Sequence, residues 1–364
     1  MAADKISGKQ LFALLVCNRL TESALFLGVV TAREIGRDAW LALAVAALGG
    51  LVIALVNLAL HLKYPQMTII QYSQVLLGNF FGKLVGFMYI LFFLGIVLII
   101  LRQAVDFLAT GIMPETPGEA FLLLLMGVTV YITWEGIVPL ARVSELILVF
   151  TLFTILFVLL LVAKDIDLSA LQPVLEKGMK PVLLAAATPM GWFGDVLVMT
   201  MLLPCLEKPS QARAAALWAI VTSALFIELL VVAVIGVFGS NEAVLMSFPV
   251  FSLVRMINIA DFLQRIESLL LAIWLVLIFV KLSLFLYAGT TGLAGWLNLQ
   301  DYRPLVLPVG IIVMVLSLQA FANLMEVKAF LKTIWPLIAV ILTFALPLFL
   351  LMVSYIRVKG GQTT

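Results

Sequence analysis

The sequence is poor in the residues on which most catalytic and metal sites depend. It has a single histidine, His61, and two cysteines, Cys17 and Cys205. One histidine excludes the two-histidine helix of metalloproteases, and neither a Walker A loop nor a Gly-x-Ser-x-Gly elbow occurs. Both cysteines lie in apolar runs, where small buried side chains are expected and a disulfide is the alternative. We therefore expect no enzyme activity, no catalytic residue, no metal and no cofactor.

Charge is scarce as well. Only 12% of the 364 residues are charged and 64% are hydrophobic, with a mean hydropathy of +1.21. Soluble domains are about 25% charged, which excludes a soluble globular protein. The balance of 22 Lys and Arg against 20 Asp and Glu gives no indication of a nucleic-acid partner. The composition predicts an all-α integral membrane protein whose main surroundings are the lipid bilayer.

Long apolar runs set the number of membrane spans. A bilayer core about 30 Å thick needs about 20 apolar residues per helix. Lys and Arg divide almost equally between the two sides, so charge bias does not orient the chain, although short basic connections favour an inner N-terminus. Ten spans are predicted: Gly8–Thr31, Ala39–Leu62, Leu84–Thr110, Ala120–Leu140, Val143–Ala163, Val182–Leu206, Ala212–Phe238, Phe262–Leu286, Leu305–Ala322 and Ile334–Ile356.

Spans 1 and 6 each contain an interruption of the apolar pattern. Polar residues occupy Asn18–Ser23 in span 1, and Pro189–Asp195 in span 6 combines proline with two glycines. Proline removes a helical donor and glycine tolerates strained backbone. Transporters with two inverted repeats bind substrate where helices unwind near the midplane. Spans 1 and 6 are equivalent in two halves of five, which favours a broken-helix site over an ordinary kink.

Several charges fall inside predicted spans, where each needs a partner or a water-filled cavity. Arg19 and Glu22, three residues apart, can form a structural pair on one helix. Asp195 and Lys281 have no opposite charge within one turn of their own helix, so tertiary structure must supply partners. We expect Lys281 to point towards Glu22, with Glu228 as a rival partner, and either a cation site or structural pairing explains these charges.

Other polar and aromatic residues have simpler interpretations. Arg102 and Asp106, four residues apart, are predicted to form an ion pair near the end of span 3. Trp134, Trp296 and Trp335 lie near span ends and fit an interfacial aromatic belt.

Six patches of sequence carry a family resemblance, and they occur in order along a chain of ten spans. They are Gly36–Leu41, Tyr64-Pro65 with Leu77-Gly78 and Gly82, Thr116-Pro117, Tyr131–Glu145, Leu171–Leu175 with Gly178, and Phe248-Pro249 with Phe262–Glu267. In this combination the chain resembles the spore germination permeases, the B subunits of nutrient germinant receptors, within the amino acid–polyamine–organocation superfamily.

The resemblance implies a LeuT-like fold of five-plus-five inverted repeats with broken helices 1 and 6, divided here into residues 1–164 and 165–364. It implies sensing of a small-molecule germinant, A and C receptor subunits as partners, and residence in the spore inner membrane. Similar proteins tend to have an uncharged, glycine-containing break in helix 1, whereas this chain has Arg19, Thr21 and Glu22 there. That departure favours a charged or more polar germinant over a small aliphatic amino acid.

Two functions follow as expectations. The first is a nutrient receptor subunit, with an amino acid as the expected class of ligand. The second is an autonomous amino acid permease that uses a proton or a fixed cation in place of sodium. Either would use one pocket, predicted at Thr21, Glu22, Ser23, Tyr89, Gly191, Trp192, Gly194 and Tyr287, with Arg19, Asp195 and Lys281 as a cation site or structural charges.

Overall fold

The computed structural model describes residues 5–23, 35–246, 248–257 and 266–359. Within those ranges the chain is helical and contains no strand, and two short helices, Pro249–Arg255 and Leu324–Thr333, accompany the principal segments. The principal segments are α1 (Gly8–Ser23), α2 (Ala39–His61), α3 (Ile69–Phe107), α4 (Gly118–Glu135), α5 (Ile137–Val162), α6 (the pair Met179–Ala185 and Ala187–Cys205), α7 (Ala212–Leu245), α8 (Ile266–Leu297), α9 (Arg303–Ala320) and α10 (Trp335–Ile356).

The helices have the length and composition of membrane spans. Among the described residues, eight are long and apolar enough to cross a bilayer, and α6 makes a ninth if its two parts form one span. The described part of α1 has 16 residues, which corresponds to about 24 Å. The rest of the first predicted span, residues 24–31, lies outside the described residues. The segments follow the predicted spans in order along the chain.

Some predicted boundaries were wrong, and two of these errors fall at glycine. The chain breaks between α4 and α5 at Gly136, whose φ is 102°, and not between residues 140 and 143. α7 continues past its predicted end at Phe238 across Gly239, whose φ is 74°. These φ values suit glycine because it lacks Cβ. An apolar pattern does not reveal a single residue with positive φ, so the predicted boundaries drifted.

The helices also extend beyond the windows of highest hydropathy. α3 begins at Ile69 instead of Leu84, and α8 ends at Leu297 instead of Leu286. Both helices contain polar residues in these extensions, which an apolar window excludes. Hydropathy therefore located the spans but underestimated their length.

The two predicted interruptions have different outcomes. Asn18–Ser23 is helical and forms the last described part of α1, so the predicted break within those residues was wrong. α6 does depart from a straight α-helix. It bends by 40° between its two parts, and Gly194–Val198 is a 3-10 helix that overlaps the predicted interruption. Pro189 lies in the first turn of Ala187–Phe193, where its missing N–H has little cost.

The interior is organised around α3 and α8, which pack along one another. α1 packs against α5, α7 and α8, while α6 packs against α2 and α10. Large apolar side chains cover the outside, such as Phe150 and Phe153 on α5. In a bilayer these outer side chains meet lipid, so the interior is where polar residues need a structural explanation.

The segment before α1 is joined to the end of α6. Ile6 N donates to the Cys205 carbonyl at 2.9 Å, and Glu207 N donates to the Ile6 carbonyl at 3.0 Å. Gly8 N adds a third contact, to Gln211 Oε1 at 3.1 Å. The Ile6 side chain is completely buried. One end of α1 is thus tied by backbone hydrogen bonds to one end of α6.

Candidate functional site

A buried lysine joins three helices at the centre of the fold. Lys281 of α8 has no exposed surface, and its Nζ lies 2.6 Å from Glu22 Oε1 and 2.8 Å from Asp195 Oδ2. Asp195, in the 3-10 turn of α6, is also fully buried, and Glu22 is almost so. The expected contact of Lys281 with Glu22 is present. Asp195 is a second partner that sequence reasoning did not pair with Lys281.

Arg19 is a fourth buried charge at this centre. Its guanidinium carbon lies 4.9 Å from the centroid of the Phe193 ring, in a cation–π contact. Its charge also interacts with those of Asp195 and Glu22, although neither carboxylate lies within 4.0 Å of it in the described part of the chain. The direct ion pair of Arg19 with Glu22 is therefore absent. Two cations and two anions make this charge cluster (Arg19, Glu22, Asp195 and Lys281) neutral.

Burying charges is costly unless they are paired and hydrogen-bonded. Neutrality meets that requirement for the cluster as a whole, but not for every atom. Arg19 Nη1, Glu22 Oε2 and Asp195 Oδ1 are buried and have no hydrogen-bond partner in the part of the chain that the structure describes. These atoms keep capacity for a further contact. Glu228, the rival partner considered for Lys281, lies on α7 with its Oε1 also unpartnered.

Thr21 fastens α1 to α8 beside the charge cluster. Its hydroxyl donates to the Leu277 carbonyl of α8 at 3.0 Å, sharing that proton with the Cys17 carbonyl at 2.9 Å. Its own carbonyl accepts from Trp274 Nε1 at 3.1 Å. The polar atoms of Thr21 are thus already engaged within the protein.

A cavity adjoins the charge cluster on the side of α3 and α10. Its volume is about 20 Å³, room for about one water molecule. Glu22 reaches it, and Trp335 stacks on Phe92 nearby, with ring centroids 5.8 Å apart and planes 7° apart. Trp335 Nε1 and Glu22 Oε2 are the buried lining atoms without a hydrogen bond. The lining residues are Glu22, Ile96, Ile99, Ile100, Gln103, Trp192, Leu331 and Trp335.

This cavity has the chemistry of a small-molecule site. Such sites are mostly apolar, with a few polar groups that fix orientation. Ile96, Ile99 and Ile100 supply the apolar wall. Glu22 supplies a carboxylate oxygen that accepts hydrogen bonds, and the Trp335 indole supplies a donor. The arrangement suits an apolar molecule that carries an amino or amide N–H group.

The structure places the predicted ligand residues in different surroundings. Glu22 and Trp192 line the cavity. Tyr89 is fully buried, with its hydroxyl unpartnered. Tyr287 packs against Tyr302, ring centroids 5.1 Å apart, about 9 Å along α8 from Lys281. The side chain of Ser23 lies outside the described residues. The set predicted from sequence is therefore not gathered in one cavity.

The two predicted glycines face α10. A Cβ on Gly191 would lie 2.7 Å from Trp335 Nε1, and a Cβ on Gly194 would lie 2.6 Å from Thr343 Oγ1. Glycine at both positions lets α6 and α10 approach closely. The sequence suggested glycines that expose backbone to a ligand, whereas the structure shows glycines that permit helix packing.

Sequence reasoning missed Gln103 and misplaced Trp335. Gln103 directly follows the apolar run of α3 and lies between Arg102 and Asp106, whose predicted ion pair is present at 3.1 Å. A further polar residue beside this pair was the available signal. Trp335 was expected in an interfacial belt, but it is buried and lines the cavity. The position of Trp335 near a span end was misleading, because the helix Leu324–Thr333 covers the start of α10.

Comparisons with known proteins identify the family to which the chain is similar. The model of a family described as spore germination protein matches residues 5–325. Spore germination protein KB of Bacillus subtilis (strain 168) is 30% identical over 330 residues, covering 90% of this chain and 88% of that protein. Spore germination protein YndE of the same organism is 25% identical over 363 residues, covering 99% of each. The similarity extends through the elements that hold the charge cluster.

Solved transporters share the fold. MhsT in complex with L-phenylalanine superposes with a TM-score of 0.62 at 12% identity, covering 98% of this chain and 99% of that one. The nucleobase-cation-symport-1 transporter Mhp1, in a closed conformation with bromovinylhydantoin bound, gives a TM-score of 0.67 at 13% identity, covering 91% and 75%. The predicted LeuT-like fold is confirmed. These relatives are germination proteins and transporters, in agreement with the expectation that the chain is not an enzyme.

Proposed function

Since the chain belongs to the spore germination protein family, we propose that it is the ligand-sensing B subunit of a nutrient germinant receptor. Its germinant would occupy the cavity beside α1, α3, α6 and α10 after these helices move apart and widen it. Binding would be communicated to A and C subunits in the spore inner membrane. The two halves, residues 1–164 and 165–364, would act as the two repeats of one membrane domain.

One observation carries the proposal: Glu22 lines a mostly apolar cavity, and its Oε2 has no hydrogen-bond partner among the described residues. The other oxygen of the same carboxylate is held by Lys281. A ligand that donates to Oε2 would therefore contact a group whose remaining interactions join α1 to α8. Amino acids with an apolar side chain combine the required donor with a body that suits the isoleucine wall. Arg19 and Lys281 balance the charges of Glu22 and Asp195, so the polar groups that the cavity offers a ligand are Glu22, Gln103 and the Trp335 indole.

Filling the cavity tests the proposal. Ile99→Trp places a large ring where Ile99 lines the cavity, whereas Leu91→Trp adds the same ring on the lipid-facing side of α3. We expect Ile99→Trp to abolish the thermal stabilisation that the wild-type protein gains from its ligand, because a ligand stabilises only a fold that binds it. The ligand is chosen by screening amino acids, nucleosides and sugars for that stabilisation. Normal ligand stabilisation of a folded Ile99→Trp protein would remove the cavity from consideration.

An autonomous amino acid permease is the second candidate, favoured by the transporter fold and by the ammonium of Lys281 between α1 and α8. A fixed ammonium can replace a coupling cation electrostatically. Uptake of labelled ligand into vesicles that contain only this protein would support the permease. Ligand stabilisation without uptake, together with recovery of A- and C-type subunits on purification, would support the receptor.

A further inference from the structure

A second recess lies far from the charge cluster, on the outer surface where α3 and α8 meet. Its volume is about 510 Å³, and it is open to the outside. Its floor and walls are Asn79, Phe80, Lys83, Leu84, Phe87 and Trp296. We refer to it as the Lys83 groove. None of these residues was included in the predicted ligand site.

Local backbone geometry creates the groove. Gly78 interrupts α3 with a φ of 80°, and the helix resumes after it. Beyond the interruption, a Cβ on Gly86 would lie 3.0 Å from Ile70 and 3.6 Å from Trp296 Cδ1. A Cβ on Gly86 would crowd Ile70 and would be in ordinary van der Waals contact with the indole. Trp296 thus packs directly against α3 beside the groove.

Trp296 is held against α3 and makes a cation–π contact with Lys83. Its Nε1 donates to the Lys83 carbonyl at 2.8 Å, and its ring lies 5.7 Å from that of Phe87. Lys83 Nζ lies 5.6 Å from the centroid of the indole. No carboxylate in the described residues lies within 4.0 Å of that ammonium. The ammonium therefore has an aromatic neighbour but no anion.

The position of Lys83 along α3 sets its depth in the membrane. Lys83 and Arg102 are the charged residues that border an uncharged run of 18 residues, 84–101. Nineteen helical steps correspond to about 28 Å, close to the thickness of the bilayer core. Because Arg102 pairs with Asp106 at one boundary, Lys83 falls at the other, at the level of lipid headgroups. Trp296 at that level agrees with the aromatic belt predicted for it.

Phe80, exposed to 78%, lies on the headgroup side of Lys83. Leu84 and Phe87 continue from Lys83 into the hydrocarbon region, and both are exposed. These exposed apolar side chains can contact an acyl chain. The ammonium of Lys83, at headgroup depth and without a carboxylate partner among the described residues, can bind a phosphate. We propose that the Lys83 groove binds an anionic phospholipid, with its phosphate at Lys83 Nζ and its acyl chain along these apolar side chains. This site is independent of the proposed germinant cavity.

Native mass spectrometry of the purified full chain tests this proposal with phosphatidylglycerol and phosphatidylcholine of identical acyl chains. One lysine near a membrane surface contributes about 1 kcal/mol to anionic lipid binding, a factor of about five in affinity. Lys83→Gln should therefore weaken phosphatidylglycerol binding about fivefold and leave phosphatidylcholine binding unchanged. Lys208→Gln, which removes an exposed lysine outside the groove, should alter neither. Equal affinity of the wild-type protein for both lipids would overturn the proposal and leave the groove as a surface for another protein.

A second measurement needs no variant. Phosphatidylglycerol with a photoactivatable acyl chain should label Leu84 and Phe87 of the wild-type protein several-fold more than Phe150 and Phe153, which are exposed on α5. Excess unlabelled phosphatidylglycerol should suppress that labelling. Uniform labelling of both surfaces would show only the annular lipid that surrounds any membrane helix, and would refute a specific site.

Discussion

Lys281→Met should lower the free energy of unfolding by about 3–5 kcal/mol, the usual cost of removing one partner from a buried ion pair. The variant leaves Glu22 and Asp195 buried with one cation fewer, so the neutral cluster becomes an anionic one. We expect a reduced yield of folded protein and a lower midpoint of thermal unfolding in detergent. Wild-type stability in this variant would mean that the three side chains do not share a buried ion pair.

A compensating variant separates stability from ligand binding. Asp195→Asn in the Lys281→Met background restores neutrality, because Arg19 then balances Glu22. This double variant should recover most of the lost stability. Its response to ligand then assigns the role of Lys281. Normal binding would make the lysine a structural counter-ion, whereas a folded protein that has lost binding would support a fixed cation at the site.

Gly194→Leu should be the second most damaging single change. Even its Cβ would lie 2.6 Å from Thr343 Oγ1 of α10, so the larger side chain forces α6 and α10 apart. Overpacking of this kind costs about 1–3 kcal/mol. Gly95→Leu is the matched control, since a Cβ on Gly95 of α3 meets no atom within 4 Å. We expect a lower thermal midpoint for Gly194→Leu and almost no change for Gly95→Leu.

A milder pair of substitutions identifies the neighbour responsible. Gly194→Ala should destabilise the protein, and Thr343→Ala should partly reverse that effect by removing the hydroxyl oxygen that the new methyl group would approach. Residues in contact show such coupling, whereas distant residues give additive effects. Additive effects in this pair would contradict the close approach of α6 to α10.

The need of Lys281 for a distant partner could be predicted from its sequence neighbours, but the identity of every partner could not. A lysine without an opposite charge within one turn must find one elsewhere in the fold. Glu22 could be inferred as a partner because helices 1 and 8 are neighbours in the LeuT-like fold that the resemblance implied. Sharing the ammonium with Asp195 depends on the rotation of α6 about its axis, which changes where α6 bends and tightens into a 3-10 turn.

The ligand cavity was harder to predict because the sequence does not indicate which face of each helix lines it. Gly191 and Gly194 have the same local signature whether they expose backbone to a ligand or admit a neighbouring helix. Only the position of α10 decides between the two. Trp335 looks interfacial when judged by its distance from the end of a span. Its burial results from a separate short helix whose position hydropathy does not specify.

The backbone contacts of Ile6 have a mechanical consequence. Separating α1 from α6 at that end requires breaking the hydrogen bonds of Ile6 with Cys205 and Glu207, and exposing a buried side chain. The two helices that carry Glu22 and Asp195 are therefore coupled by backbone hydrogen bonds at this end. If a ligand displaces either helix, these contacts transmit the displacement to the other. The ends of α1 and α6 then move together at the face of the membrane where the chain enters α1.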